Sequence, residues 1–173
     1  MQSNRMIKLA ITLSVFASGL IVGATMRSAT NATTTPQLWP VVNIVDGDTL
    51  DILYQPPYPV EERVRLIQVN TPERGDPGFQ EATEALERLV AEGQVSIELE
   101  SCGEHERGAY GRLLVYIFCG GKCVNLEIVR LGWSRNYTEY GAGRMNQLFA
   151  EAEQEAREAQ RGLWASEWAN IGG

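Results

Sequence analysis

Hydrophobic positions along this chain fall into runs of two different periods, and the switches between them divide it into elements. Residues 41–45 are short, apolar and β-branched, and residues 49–54 form a second such run. Asp46-Gly47 between them is a hairpin signal. Residues 55–59 contain three prolines, which cannot donate to a ladder, so the strand pattern breaks there. Residues 63–69 resume it with apolar positions on both faces, as expected of a barrel wall partly covered by helices. A helix follows, with Asp76 as its cap and Pro77 at its first position. Phe79, Ala82, Leu86, Leu89 and Val90 line one face of it, and Gly93 ends it. Val95, Ile97 and Leu99 then alternate with Ser96, Glu98 and Glu100, the mark of a half-buried strand. Residues 113–118 are continuously apolar and read as a central strand, and residues 124–131 as a short helix ended by Gly132. Met145, Leu148, Phe149, Ala152 and Ala156 mark an amphipathic last helix closed by Arg157, Arg161 and Gly162. Five strands with three interspersed helices predict an α+β, mainly β architecture: a five-stranded OB-fold barrel carrying three α-helices.

The N-terminal pattern is of another kind. Arg5 and Lys8 precede a mainly apolar run over residues 9–26, as in an export signal. As a helix that run would measure about 27 Å, close to a bilayer core, so a retained membrane anchor is the rival expectation. Residues 1–26 are accordingly read as signal peptide or anchor, 27–38 as a linker without hydrophobic period, 39–168 as the folded domain and 169–173 as a tail. Either N-terminal reading puts the domain outside the cytoplasm: secreted, periplasmic, or tethered to a membrane through residues 9–26.

Composition narrows the function. The 173 residues are 44% hydrophobic and 21% charged, enough to bury a core without staples. Fifteen Lys and Arg stand against 22 Asp and Glu, a net charge of -7. A protein that coats nucleic acid by counterion release has the opposite balance. Any phosphate chemistry here has to be local, built from a few arginines with or without a metal ion. One histidine and three cysteines argue against a zinc cluster.

Three segments carry that chemistry. In Asp46-Gly47-Asp48-Thr49, Asp48 is either a solvated turn residue or a hard carboxylate ligand at the start of a strand. Arg65 lies inside an otherwise apolar strand, where it needs either a structural ion pair or a phosphate to match its planar fork. The strand exit Thr71-Pro72-Glu73 is either an ordinary surface turn or a rigid mount for a carboxylate that activates a water. Tyr110-Gly111-Arg112 puts a second arginine just before the central strand, with a surface strand-entry arginine as the bland alternative.

In order and spacing these segments resemble the staphylococcal nuclease-like, or thermonuclease, domain family. The likeness runs over residues 41–164: DGDT at 46–49, VRLIQVNTPE at 64–73, AYGR at 109–112, LLVYIF, VNLEIVRLGW at 124–133, and RGLW. It implies an OB-fold with three helices that cleaves DNA and RNA phosphodiesters using Ca²⁺. By that resemblance Asp48, Asn70 and the carbonyl of Thr71 are calcium ligands, Glu73 is the general base, and Arg65 and Arg112 bind and stabilise the phosphate. Tyr110 and one of Tyr137 or Tyr140 match positions around the bound nucleotide. Two departures stand out. The family's second calcium aspartate is Asn70 here, one negative charge fewer, and Gly108-Ala109 replaces the acid and lysine before the YGR tyrosine. The implied enzyme is an exported Ca²⁺-dependent nuclease, monomeric, with DNA or RNA as its partner. The rival class is an OB-fold module that binds single strands without cutting them.

Cys119 and Cys123 flank a tight turn, and in an exported protein a disulfide closing that small loop is an expectation with two reduced thiols as its alternative. Cys102 is too far along the preceding strand to bridge Cys119, and His105 stands alone in a polar loop, read as solvated.

Overall fold

The computed structural model describes residues 36–54, 57–100, 107–139 and 141–165. Residues 1–35, the tail, Cys102, His105 and Tyr140 therefore lie outside the described residues, and with them the readings made of those segments.

Three strands open the fold: β1 (Trp39–Ile44), β2 (Thr49–Tyr54) and β3 (Val60–Leu66). Helix α1 (Phe79–Leu89) is followed by β4 (Gln94–Glu98), β5 (Leu113–Cys119), the two-residue β6 (Lys122–Cys123), α2 (Val124–Arg130) and α3 (Asn146–Glu158). The sheet runs β3-β2-β1-β4-β5-β6, and an additional β3–β5 pairing closes the first five strands into a barrel. This is the α+β, OB-like architecture expected from the pattern. Closure depends on β1. Its first half pairs β4 (Trp39↔Val95) and its second half pairs β2 (Ile44↔Leu50), with a bulge between Val41 and Asn43 that turns the strand round the corner. Trp39 is buried there, its ring 4.6 Å from that of Tyr54.

Inward positions alternate as the pleat requires. Leu50 and Ile52, Val64 and Leu66, and Val115 with Ile117 are fully buried in the core, joined by Leu86 of α1, Ile128 of α2 and Phe149 of α3.

Two boundaries and one expected disulfide differ from expectation. The strand foreseen at 63–69 runs instead over Val60–Leu66, because the chain turns after Leu66 and Gln68 adopts φ 59. Asp76 does not cap α1. The N-cap is Gly78 at φ 90, and the Asp76 carbonyl instead accepts from Phe79 N at 3.2 Å in a preceding turn. The cysteines of the β5–β6 hairpin are both buried free thiols, not a disulfide. The register gives the reason: Cys119 pairs with Lys122 and Phe118 with Cys123, so the two sulfurs start on opposite faces of the ribbon. Cys119 Sγ donates instead to the Gln94 carbonyl at 3.6 Å, and burial pushes both thiols above their ordinary pKa.

Candidate active site

The site is assembled by the register of three strands. Thr49 of β2 faces Arg65 of β3, and Arg65 faces Leu114 of β5 across the parallel pairing. Following the β5 alternation back two residues puts Arg112 on the same face as Arg65. Two arginines distant in sequence thus lie on the same side of this pairing, Arg112 one residue before β5 begins.

Asp48 sits where β2 begins, its backbone held by Leu66 N on its carbonyl at 2.9 Å and by the Asp46 carboxylate on its amide at 3.0 Å. Its carboxylate is buried and saturated. Oδ1 accepts from Thr49 Oγ1 at 2.9 Å and pairs with Arg65 Nη1 at 3.0 Å, and Oδ2 accepts from the Thr71 amide at 2.9 Å and Thr71 Oγ1 at 3.2 Å. Desolvation is the largest influence on this acid and pushes it up to about 6, against the pull of Arg65. Gly47 is required beside it. A Cβ there would lie 2.8 Å from Ala82 Cβ and 2.9 Å from Thr71 Cγ2, so only glycine lets the β1–β2 turn close onto the Thr71 loop.

Arg65 is 7% exposed yet fully engaged. Besides Asp48, Nη1 donates to the carbonyls of Val69 at 2.7 Å and Leu66 at 3.2 Å, and Nη2 donates to Asn70 Oδ1 at 3.0 Å. Asn70 is exposed and its amide is fixed by Ser134 Oγ at 2.8 Å. Thr71 and Pro72 are buried, while Glu73 emerges into solvent at the exit of the loop. The structure therefore brings Asp48, Arg65, Asn70 and Thr71 into direct contact, with Glu73 two residues beyond.

Arg112 and Tyr110 form a second group. The Arg112 guanidinium lies 5.9 Å from the Tyr110 ring centroid, and its Nε is buried with no hydrogen-bond partner among the described residues. Tyr110 is 95% exposed on a left-handed backbone at φ 67. Arg107 Nη1 pins this loop, reaching Glu62 Oε1 and the Gly111 carbonyl, each at 2.6 Å. Tyr137 is half-buried, its amide donating to the Gln68 carbonyl at 3.2 Å and its hydroxyl against Glu139.

The donor set around Asp48 is one carboxylate, one amide oxygen and backbone carbonyls. Among the described residues no group of three or more His, Cys, Asp or Glu is gathered to hold a metal. Those donors are hard oxygens of the kind calcium takes, and a buried carboxylate at that point needs a cation, which Arg65 supplies here. The set suits calcium and does not suit a soft metal.

Sequence reasoning missed the residues that hold the loop. Ser134 is 1% exposed and, from the segment that follows α2, fixes Asn70. Asn125 is fully buried in α2. Its Nδ2 donates to the Ile67 and Val115 carbonyls at 3.0 and 2.9 Å, and its Oδ1 accepts from Ile117 N at 2.9 Å. The available signal was a polar residue inside an amphipathic run, as in Val124-Asn125-Leu126.

Comparison with known proteins fits this geometry. A family model described as Staphylococcal nuclease homologue matches residues 63–166. A protein named Uncharacterized endonuclease from Escherichia coli is 29% identical over 126 residues, 72% of this chain and 75% of its own length. Endonuclease YncB of Bacillus subtilis is 27% identical over 128 residues, 70% of this chain and 58% of that protein. The SPbeta prophage-derived endonuclease YokF of the same organism matches at 27%, with 42% of its length covered.

Proposed function

We propose a function from one premise: this chain belongs to the family of staphylococcal nuclease homologues. It is a hydrolase that cleaves phosphodiester bonds of DNA or RNA, as the names of its endonuclease relatives suggest. The observation that carries the reading is the pair of arginines delivered to one face by the β3–β5 register, with the Nε of Arg112 buried and unpartnered among the described residues. A buried guanidinium nitrogen without a partner is costly, and a phosphate oxygen would satisfy it.

Asp48, the Asn70 amide oxygen and the Thr71 carbonyl would hold calcium. When bound, the ion supplies Lewis-acid charge at a non-bridging phosphate oxygen. With calcium taking over Asp48 and Asn70, Arg65 would turn from those two partners to join Arg112 on the remaining equatorial oxygens and stabilise the charge that builds on them. Glu73, exposed at the rigid Thr71-Pro72 exit, accepts the proton of the attacking water. Tyr110, and Tyr137 or Tyr140, flank the nucleotide. Residues 1–26 export the protein or anchor it.

Plasmid DNA and a single-stranded RNA incubated with the purified domain in calcium or in EGTA test the reading. Cleavage in calcium that stops in EGTA is expected, and Glu73→Gln should lower turnover per folded molecule by roughly 10²–10⁴-fold. Undiminished cleavage in EGTA removes calcium from the reaction. Binding without cleavage identifies a single-strand module instead.

A further inference from the structure

Among the described residues, Gln68 is the one buried residue near the site that combines backbone strain with a saturated side chain. It holds φ 59, a left-handed conformation unfavourable for a glutamine, and is 4% exposed. Its Nε2 donates to Asn136 Oδ1 at 3.0 Å and to Asn146 Oδ1 at 3.2 Å. Its Oε1 lies 3.0 Å from the hydroxyl of fully buried Tyr116, which also rests against the Glu100 carboxylate. The Gln68 carbonyl takes the Tyr137 amide at 3.2 Å. One residue therefore contacts β5, the first turn of α3, and the Asn136–Tyr137 segment, and Asn70 follows two positions later.

The packing outside this cluster leaves it no slack. A Cβ on Gly143 would stand 2.3 Å from the Tyr116 hydroxyl, 2.6 Å from Gln68 Oε1 and 2.7 Å from Glu100 Oε2. Arg144 completes the cover, its guanidinium 4.7 Å from the Tyr116 ring centroid and its amide on Glu100 Oε1 at 2.6 Å. Strain held by surrounding structure at such a point sets geometry elsewhere. Here the elements it can set are the Asn70–Glu73 loop on one side and Tyr137 on the other.

We propose that Gln68 is a positioning residue for substrate cleavage: its side-chain amide fixes a left-handed turn that aims the Asn70–Glu73 loop and docks the Tyr137 segment beside it. This rests on the nuclease reading for its kinetic consequence, but not for its structural one. Tyr116 keeps Glu100, and Asn136 Nδ2 keeps Asn146 Oδ1 at 2.8 Å, without Gln68. Loss of the amide should therefore loosen two loops and leave the barrel standing.

The test uses Gln68→Gly, which relieves the backbone but deletes the amide, together with Gln68→Leu and Gly143→Ala. Amide hydrogen exchange in the full chain is the structural readout. Protection at Asn70 and Tyr137 should fall at least tenfold in all three variants while Ile117, held by Asn125 in the barrel, keeps its own. In kinetics, kcat should drop roughly tenfold to a hundredfold with KM for oligonucleotide moved less, the cost of misplacing reacting groups. Unchanged protection at Asn70 and Tyr137 in Gln68→Gly overturns the proposal, as does a uniform loss that includes Ile117. A wild-type protein that cleaves nothing refutes the nuclease reading alone, and the exchange result still decides the role of Gln68.

Discussion

Asp48 shows at the scale of one residue what the site costs the fold. Its carboxyl is pushed from the usual 3.8 up to about 6, mainly by burial, with Arg65 offsetting part and Asp46 adding to it. The folded pKa is above the unfolded one, so between about pH 4 and pH 6 the unfolded chain releases a proton that the native state keeps. The stability associated with that proton is fully present below pH 4 and is lost as pH rises through 6. The variant Asp48→Asn lacks the titration, and its weaker hold on Arg65 adds an offset that pH does not change. Wild type should thus lose on the order of 3 kcal/mol relative to Asp48→Asn between pH 4 and pH 7. Urea unfolding of both proteins at the two pH values in EDTA measures this, and a constant difference would mean that Asp48 is not desolvated. The residues of this constellation were legible because each motif is local: Asp48 beside Gly47, Arg65 in an apolar strand, Glu73 after a proline. Gln68 and Ser134 were not, because what each does is defined by partners 48 to 78 residues away, which no short motif encodes.

At the scale of elements, hydrophobic period found every strand of the barrel and all three helices but misplaced ends where polar contacts decide them. In β3 the pair Glu61-Glu62 hid the first half of a strand whose outward side is ionic, with Arg63 in a two-point bond to Asp51 at 2.8 and 3.0 Å. At its other end the apolar run continued through Val69 although the ladder had stopped at Leu66. What ties that departing loop to the barrel is Asn125, reaching from α2 to Ile67, Val115 and Ile117 at once. Asn125→Ala would leave the Ile117 amide and the Ile67 carbonyl without that partner, each at about 1–3 kcal/mol, while the Val115 carbonyl keeps the Ile67 amide. The expected result is a loss of about 3 kcal/mol and a melting temperature lower by roughly 10 °C, read by circular dichroism. A variant melting within two degrees or so of wild type would show that water replaces the side chain without cost.

At the scale of the whole molecule, the closing β3–β5 pairing turns scattered segments into one site, and surface charge decides how that site meets its substrate. Parallel pairing between strands nearly fifty residues apart was invisible to periodicity, yet it sets Arg65 opposite Leu114, two residues after Arg112. The chain as a whole is acidic, at -7, and residues 41–173 alone sum to -10. Most other arginines are already engaged: Arg63 with Asp51, Arg130 with Glu127 and Glu155, Arg144 with Glu98, Arg157 with Glu153, and Arg161 with Glu155. Few cations therefore remain to displace counterions from a nucleic-acid backbone. Each phosphate contact on a single strand contributes about -0.7 to the slope of log affinity against log salt. On the proposed mechanism, Arg65, Arg112 and a bound calcium would give a slope near -2, and screening of the repulsion from the acidic exterior would make it shallower still. Fluorescence anisotropy of a labelled single-stranded oligonucleotide with the Glu73→Gln protein, in calcium from about 50 to 300 mM salt, measures it directly. A slope of about -5 or steeper would require a basic track outside the two-arginine site and would refute a purely local grip on the phosphate.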